Sequence, residues 1–532
     1  MKTLLWFTIL LSAQWVWAQA PADLVNSGLR FDDEAYLRVE QKPDNVIYKA
    51  PLPRAISYEK YLPDIERQGD YGTCVAFTCA YYTRTAIEAI QRNLTTKPQI
   101  NQTRFSPTYL YSRLKLPNDV TCQQGGTMDE GLLALKNYGA PFWSSLPYPQ
   151  CIKNVKPYDS EASQFRIRHF ERVFDFATMF RVVRQNNNLE SVVNANIQNI
   201  KRALAGGYPV PIGMMIPLSF QAVSTDTWTP APSDVDDLYQ EIRSGFKRRK
   251  LYGHALTVVG YDDNRQAFRV VNSWGTRWAD NGLCWIKYRD FVLFTRYAFR
   301  VYPMEPPTVK PTKVIPTIAK NNTRPQPTSA PKRSPVPTTQ PDKSVTMQAS
   351  VEMRLVDGSE MPARRLMSRG STVGDDTNDE IGAYKLVNGY ASGTRFKLTV
   401  NNDKAAYVYV IGTDQSMKLT RLFPYADSLS AMIDAKESAV LPGPTKHIRL
   451  DNNPGQEYYL VLFADKPLDM SALMTRMSAI GGSLSHKITQ TLGDQLMDWH
   501  TMNYDPVQIT FSTATDPIGK VVPVLISLDH KP

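Results

Sequence analysis

Cysteine is scarce in this sequence of 532 residues and is absent after position 284. The five cysteines lie at positions 74, 79, 122, 151 and 284. The four histidines beyond residue 346 are scattered and lack the spacing of zinc ligands, so we expect no metal and no cofactor. An odd number of cysteines leaves at least one thiol outside any disulfide in an exported protein, as a cysteine nucleophile requires.

Long apolar runs are absent beyond the first 20 residues. Met1 and Lys2 precede an apolar run that ends at Trp17, and Ala-Gln-Ala follows at 18–20, which is the pattern of a secretory signal peptide. We expect cleavage after Ala18 and a secreted or periplasmic location. No later run of 18 apolar residues exists, so the sequence predicts no transmembrane segment in the mature chain.

The sequence also lacks a strong charge of one sign. It has 61 basic and 51 acidic residues, and the resulting net charge of +10 is small for a chain of this length. Part of the basic excess lies in a proline-rich segment near residues 310–343. That distribution is typical of a solvated linker, and we expect no nucleic-acid partner.

The length of the chain exceeds what one hydrophobic core supports, so two or three domains are expected. The predicted parts are a signal peptide (1–18), a short polar N-terminal segment (19–50), a first domain (51–303), a Pro/Thr/Lys-rich linker (304–345) and a β-rich domain (346–532). A linker of this composition is extended and semi-rigid, and we expect the two halves to fold and move independently.

The stretch from Arg67 to Phe77 contains the first candidate for chemistry, Cys74. Residues 74–91 lack glycine and proline and carry apolar residues at helical spacing, which predicts a helix that begins at Cys74. The helix N-terminus favours a negative charge, so we expect the thiol to be shifted towards thiolate. Gln68 precedes it and can supply an amide donor for an oxyanion. A lone cysteine in this position is more often a small buried residue, so a histidine partner is required.

That partner is predicted at His254, which opens an apolar run that continues to Tyr261. A turn at 262–264 leads into a second run that ends at Asn272, and two strands of a hairpin would bring Asn272 beside His254. A histidine on a strand is more often structural. The Asn-Ser-Trp-Gly sequence that begins at Asn272 favours a catalytic role instead.

These two stretches resemble the papain-like (C1) cysteine peptidases. Residues 67–77 are similar to the family pattern Q-G-x-C-G-S-C-W-A-F, and residues 253–282 to its N-H-A-V…N-S-W-G-x-x-W-G-E-N-G pattern. The resemblance covers residues 51–302. It implies an α+β fold in which a mainly helical lobe with Cys74 faces a β-rich lobe with His254, and the Pro-rich linker and the mainly β domain follow.

The same resemblance implies hydrolysis of peptide bonds through a thioester acyl-enzyme. In this scheme Cys74 attacks and His254 transfers protons. Asn272 orients the imidazole, and Gln68 with the Cys74 backbone N–H stabilises the oxyanion. Trp274 is expected to shield the His–Asn pair and to contribute to substrate binding. A peptide or protein substrate is the partner implied, without a metal or cofactor.

A second segment, residues 122–126, resembles the family's C-x-G-G segment with one residue added. Gly125 and Gly126 are therefore expected to bind substrate by pairing with an extended peptide. Cys122 and Cys151 resemble the family's bridging positions, which implies a disulfide between them.

The sequence also departs from the family. Tyr71 replaces a cysteine, Val75 replaces a tryptophan, and the spacing between Cys74 and His254 is longer than the roughly 130–150 residues typical of the family. We interpret residues 225–250, which are polar and rich in charge, as a surface insertion. Segment 19–50 is too short for the helical inhibitory propeptide of the family, so none is expected.

The β-rich domain resembles an uncharacterised accessory domain of bacterial exported and signalling proteins. That resemblance implies binding of a protein or surface partner rather than catalysis. The alternative function is a catalytically retired papain-like scaffold whose C-terminal β domain binds a protein or cell-surface partner. Retention of all four reacting groups favours the peptidase.

Overall fold

The computed structural model of the protein describes residues 28–304 apart from Arg249, residues 347–366, and residues 381–532 apart from Asp516. The predicted signal peptide and nearly all of the predicted linker lie outside the described residues. Among the residues that are described, no helix is long and apolar enough to cross a membrane.

The helices of the first domain surround one long buried helix and a twisted sheet. They are α1 (Asp33–Arg38), α2 (Cys74–Ala76), α3 (Thr85–Gln91), α4 (Lys97–Gln102), α5 (Pro107–Leu114), α6 (Met128–Asn137), α7 (Asp159–Ala162), α8 (Phe176–Arg184), α9 (Glu190–Ala205), α10 (Leu218–Gln221), α11 (Pro232–Ser244) and α12 (Tyr288–Phe294).

The strands up to residue 303 are β1 (Val46–Tyr48), β2 (Ala55–Ser57), β3 (Ile167–Arg172), β4 (Val210–Ile216), β5 (Thr227–Trp228), β6 (Tyr252–Asp262), β7 (Ala267–Val271), β8 (Leu283–Lys287) and β9 (Thr295–Pro303). All except β1 form one sheet with the order β3-β9-β4-β6-β7-β8-β5, and β2 pairs with β6. The predicted hairpin is the antiparallel pair β6–β7.

The long helix is continuous from Cys74 to Gln91 because α2, a π-helical stretch at 77–84 and α3 follow one another directly. Every residue from 74 to 89 is buried. The two charges inside this run, Arg84 and Glu88, form an ion pair with a 2.8 Å N···O distance. A buried charge is tolerated only when it is paired, so this pair lets the whole helix be buried between the two lobes.

The interpretation of residues 225–250 as a surface insertion is wrong in its central part. Helix α11 packs against α8 and buries Leu238 and Ile242 completely. The Glu241 carboxylate accepts backbone N–H groups of Arg248 and Lys250 at 3.2 and 2.6 Å. Leu238 and Ile242 are four positions apart and therefore lie on the same face of the helix. This face is buried although most residues of the segment are polar or charged.

The C-terminal domain is a two-sheet sandwich. Its strands are β10 (Met347–Leu355), β11 (Ala363–Arg365), β12 (Gly382–Leu386), β13 (Tyr390–Ala391), β14 (Arg395–Asn402), β15 (Ala406–Asp414), β16 (Thr420–Phe423), β17 (Met432–Ile433), β18 (Glu437–Leu441), β19 (Ile448–Arg449), β20 (Gly455–Ala464), β21 (Met502–Tyr504), β22 (Thr510–Thr513) and β23 (Val521–Lys531). Helices α13 (Met470–Ala479) and α14 (Leu484–Leu492) pack on the outer face of the second sheet.

The sheet orders are β1-β18-β14-β10-β22-β21 and β11-β12-β23-β20-β15-β16. Apolar residues from both sheets, such as Val400 and Val461, share one core between them. The strand β1 of the first sheet comes from the N-terminal segment, so residues 46–48 complete the C-terminal domain. The interpretation of residues 19–50 as an unpatterned segment apart from the domains is therefore wrong for these residues.

The two halves also contact each other directly. Arg300 of β9 forms a buried ion pair with Glu437 of β18, and Arg168 of β3 donates to the backbone carbonyls of Ala405 and Asp465 at 2.8 and 2.7 Å. Burial acts to raise the pKa of Glu437, but Arg300 and Lys42 outweigh it and lower the pKa to about 2. The halves are held by a charged, buried interface, and the expectation that they move independently is wrong.

His169 of β3 gives this interface a pH dependence. Its Nε2 lies 3.1 Å from the Ser430 hydroxyl. Burial, assisted by the positive charges of Lys136, Lys42 and Arg168, lowers the pKa of His169 to about 3. The ring is therefore neutral in the folded protein, whereas the exposed ring of the unfolded chain takes up a proton below about pH 6.5.

We predict that the contribution of His169 to the free energy of unfolding is complete above about pH 6.5 and is lost as the pH decreases towards 3. The unfolded chain binds one more proton than the folded chain in this range, which lowers stability by up to about 1.4 kcal/mol per pH unit. Urea unfolding at pH 7.5, 6 and 5 measures the loss. His169→Gln cannot titrate and serves as the matched control, and an equal slope in both proteins would contradict the assignment.

Candidate active site

Cys74 is placed at the first turn of the long helix, facing the sheet. Helix α2 packs on β6, the strand that carries His254. The Cys74 thiol is fully buried and is hydrogen-bonded by backbone N–H groups, among them that of Ala255, the residue after the histidine. The N-terminus of the predicted helix and the predicted strand of His254 are therefore in contact.

His254 and Asn272 form the pair that the hairpin predicts. The His254 Nε2 lies 2.8 Å from the Asn272 Oδ1, and both side chains are buried. Because the amide oxygen can only accept, the Nε2 carries the proton in this contact and the Nδ1 is left as the basic nitrogen of the neutral ring. Trp274 lies over the imidazole with a ring-centroid distance of 4.5 Å, which shields the pair from water.

Gln68 is buried, and both the oxygen and the nitrogen of its side-chain amide form hydrogen bonds. Its Oε1 accepts from the Ser273 hydroxyl at 2.7 Å, and its Nε2 donates to the Tyr71 carbonyl at 2.8 Å. Its backbone N–H donates to the Ser273 carbonyl at 2.8 Å, so the loop before Cys74 is tied to the segment after Asn272. Sequence reasoning missed Ser273 as a partner, although it lies inside the Asn-Ser-Trp-Gly motif.

The expectation that the thiol is shifted towards thiolate is wrong for this state of the protein. Burial raises the pKa of Cys74 to about 12, and the surrounding backbone N–H groups of Ala255, Val75 and Cys74 lower it only in part. A helix N-terminus stabilises a thiolate when water can also reach it. Loss of water from a fully enclosed site outweighs that effect.

The N-terminal segment occupies the cleft. The Leu29 N–H donates to the Gly253 carbonyl at 3.3 Å, and the Arg30 N–H donates to the Gly126 carbonyl at 2.9 Å. The Gly126 N–H in turn donates to the Gly28 carbonyl at 3.0 Å. Residues 28–30 thus run between the two lobes as an added strand, parallel to Gly126 and antiparallel to the His254 strand.

Leu29 and Gly28 fit this position for steric reasons. A Leu29 methyl group packs against Gly213. A Cβ on Gly213 would lie only 2.9 Å from this methyl group, so the glycine leaves room for Leu29. Gly28 has a φ of +71°, and a Cβ on it would lie 2.5 Å from the backbone of Gly72. A larger residue cannot replace Gly28 without a backbone shift. The sequence analysis expected no helical propeptide, and it did not foresee this short segment, because residues 28–30 carry no pattern of their own.

The glycine segment and the predicted cysteine pair lie beside the cleft. Cys122 and Cys151 form a disulfide, whereas Cys74, Cys79 and Cys284 are unbridged and buried. Gly126 pairs with the N-terminal segment in the way predicted for a substrate, whereas the Gly125 N–H donates to the Tyr111 hydroxyl at 2.9 Å. A further groove of about 650 Å³ lies beside Trp274 and is lined by residues 65–67 and 69, 221–224 and 274–278.

One cluster within the described ranges has the residue types of a metal site. The ligand atoms of Asp451, Glu457 and His530 lie within 4.8 Å of one another in the C-terminal sandwich. Both ring nitrogens of His530 have hydrogen-bond contacts, to Glu457 at 3.3 Å and to Ser392 at 2.9 Å. We therefore interpret the cluster as a hydrogen-bonded network.

The fold of residues 53–291 and the residues at the cleft resemble those of papain-type cysteine peptidases. Residues 53–291 match the papain family of cysteine proteases, and residues 389–467 match a domain of unknown function, DUF4384. The chain is 25% identical over 245 residues to an uncharacterized peptidase C1-like protein of Acanthamoeba polyphaga mimivirus, with 45% of this chain and 68% of that protein covered.

Solved structures of similar fold include two cysteine proteases. Xylellain from Xylella fastidiosa is 18% identical with a TM-score of 0.39, and the match covers 52% of this chain and 97% of that one. Bromelain from Ananas comosus is 16% identical with a TM-score of 0.34, covering 48% and 100% of the two chains. The predicted family, the α+β fold with a β-rich C-terminal region, and the assignment as a peptide hydrolase are confirmed by the family match.

Proposed function

We propose that the protein is an exported cysteine peptidase that uses Cys74, His254 and Asn272 and forms a thioester acyl-enzyme. The observation that carries the proposal is the 2.8 Å contact between His254 and Asn272 beside the helix start that holds the thiol. In the first step the Cys74 sulfur attacks the peptide carbonyl carbon and the thiol proton passes to His254. The imidazolium then protonates the leaving amine, and the C–N bond breaks.

The second half of the reaction hydrolyses the thioester. His254 takes a proton from water, which attacks the acyl carbon, and the sulfur leaves as a thiolate that regains the proton. Asn272 keeps the imidazole in one orientation throughout, and Trp274 limits the access of water to that contact. The developing oxyanion is assigned to the Cys74 backbone N–H and the Gln68 amide.

A covalent label tests this proposal. In the Gly28→Val variant, in which residues 28–30 cannot occupy the cleft in the observed conformation, an epoxide inhibitor of cysteine peptidases is expected to modify Cys74 and to leave Cys79 and Cys284 unmodified, because only a nucleophile next to a base reacts quickly. Peptide mapping by mass spectrometry locates the label, and hydrolysis of a fluorogenic peptide is measured in parallel. Labelling at Cys79 or Cys284, or a label without loss of hydrolysis, would refute the assignment. A retired scaffold would show no hydrolysis under any condition.

Gln68→Ala is predicted to lower kcat about a hundredfold, the usual loss when one oxyanion donor is removed. Gln68→Glu is the matched variant, because it retains an oxygen for the Ser273 hydroxyl but lacks the N–H donor. Both should lose activity to a similar degree, and both should lower the thermal unfolding midpoint, because each leaves the Tyr71 carbonyl without its donor. Normal turnover of Gln68→Glu would show that the residue only holds the loop.

A further inference from the structure

Residues 28–49, which we call the strap, connect the cleft of the peptidase domain with the sheet of the C-terminal domain. The strap begins with residues 28–30 in the cleft, continues through α1, and ends in β1. Each of these three sections contacts a different part of the molecule. The strap is therefore a physical link between Cys74 and a domain that does not line the cleft.

The middle of the strap is fixed to the peptidase domain. Tyr36 of α1 is fully buried, stacks on Tyr297 at 4.4 Å, and donates its hydroxyl to the Phe174 carbonyl at 2.9 Å. The Asp33 carboxylate forms a bidentate pair with Arg296 at 2.8 and 2.7 Å. Helix α1 thus holds the start of the strap over the cleft.

The end of the strap is fixed to the C-terminal domain. Strand β1 pairs with β18 in the register Val46–Ala439 and Tyr48–Glu437, and the Val46 side chain enters the core of the sandwich. The Val440 N–H donates to the Asn45 carbonyl at 2.9 Å. In β1 only the Ile47 side chain is directed largely towards solvent, with an exposed fraction of 37%.

Between these two sections the strap is bound by both domains at once. Gln41 bridges Arg172 of β3 and Leu429 of the C-terminal domain, with backbone hydrogen bonds of 2.8 Å to Ser428 and Ser430. The Lys42 ammonium lies 2.7 Å from the Glu437 carboxylate and 3.4 Å from that of Glu171. A lysine between one carboxylate of each domain ties the position of the strap to the interface.

We propose that the C-terminal domain is the latch of the closed enzyme: pairing of β1 with β18 keeps the strap in place and so keeps residues 28–30 in the cleft. This inference rests on the proposed function. When β1 is paired with β18, the strap is attached on both sides of its middle section. This attachment gives residues 28–30 a high effective concentration at the cleft. When the far end detaches, α1 alone retains the strap, and the fraction of molecules with an open cleft increases.

A proline at position 47 tests the latch with little loss of packing, because Ile47 is exposed. Proline lacks the N–H that a strand contributes to its ladder, so Ile47→Pro weakens the β1–β18 pairing. Ile47→Ala keeps the N–H and is the matched control. Val46→Asp is a second latch variant, because it places an unpaired carboxylate in the apolar core of the sandwich. All three are made in the full chain.

The readout is the rate at which iodoacetamide alkylates Cys74, followed by mass spectrometry at one fixed pH, with buried Cys79 and Cys284 as internal references. We expect the rate to rise about tenfold in Ile47→Pro and in Val46→Asp, the factor given by one or two lost hydrogen bonds. It should not change in Ile47→Ala. An unchanged rate in both latch variants overturns the proposal.

Alkylation does not require turnover, so the latch and the proposed function fail separately. Faster alkylation of Cys74 without peptide hydrolysis would leave the latch standing and refute the peptidase assignment. Hydrolysis that is equal in Ile47→Pro, Val46→Asp and the unchanged chain, with equal alkylation, would refute the latch and leave the peptidase assignment standing.

Discussion

Replacing Cys74 by alanine is expected to abolish peptide hydrolysis, with a loss of at least about ten-thousand-fold in kcat. Cys74 is the thiol at the first turn of the buried helix, and its removal takes away the proposed nucleophile. The measurement is best made in the Gly28→Val background, in which residues 28–30 cannot occupy the cleft in the observed conformation. Hydrolysis of a fluorogenic peptide is followed against an uncatalysed blank.

The matched control for this substitution is Cys79→Ala. Cys79 lies in the same helix and is equally buried and unbridged, so its replacement removes a similar volume without removing the proposed nucleophile. Retained hydrolysis in Cys79→Ala and none in Cys74→Ala would identify the reacting thiol. Residual hydrolysis above about one part in ten thousand in Cys74→Ala would contradict the mechanism.

The central elements of the site could be predicted from the sequence because each is encoded locally. The helix from Cys74 follows from apolar spacing without glycine or proline, and the β6–β7 hairpin follows from two apolar runs and a short polar turn. These elements bring His254 to Asn272 through regular geometry alone. The Ser273 contact to Gln68 lies between loops remote in sequence, and no local pattern indicates it.

The parts that the sequence did not predict depend on contacts between distant segments. Residues 28–30 use backbone hydrogen bonds and one leucine, which leave no periodic pattern. Strand β1 has three residues and is stable only because β18 offers an edge to pair with. Helix α11 is masked by its charged residues, and only its buried contacts with α8 reveal it.

The same long-range contacts explain why the state of Cys74 was predicted wrongly. The favourable effect of a helix N-terminus on a thiolate is a local property and can be inferred from sequence. Enclosure of the thiol depends on a segment that lies more than 40 residues earlier and is held over the cleft by α1. Burial is the largest contribution to the raised pKa of Cys74, and burial depends on contacts between distant segments rather than on the local sequence.

Emptying the cleft is therefore expected to activate the enzyme, and Gly28→Val is the smallest change that achieves it. A Cβ at Gly28 would lie 2.5 Å from the Gly72 backbone, and the φ of +71° is unfavourable for valine. The backbone hydrogen bonds of residues 28–30 are made to the cleft, and the Arg30 guanidinium adds one ion pair with Glu130 at 3.3 Å. We expect the hydrolysis rate to rise at least about a hundredfold, as for a segment that occupies the cleft 99% of the time.

The control is Leu37→Val, a substitution in the same strap at an α1 position whose side chain is exposed. It should leave the rate unchanged. A second readout follows from the pKa of Cys74, which is raised mainly by burial. In Gly28→Val the pH dependence of Cys74 alkylation should shift to lower pH, because water that reaches the thiol favours the thiolate. Equal rates and equal pH profiles in Gly28→Val and Leu37→Val would show that residues 28–30 do not restrict access to the site.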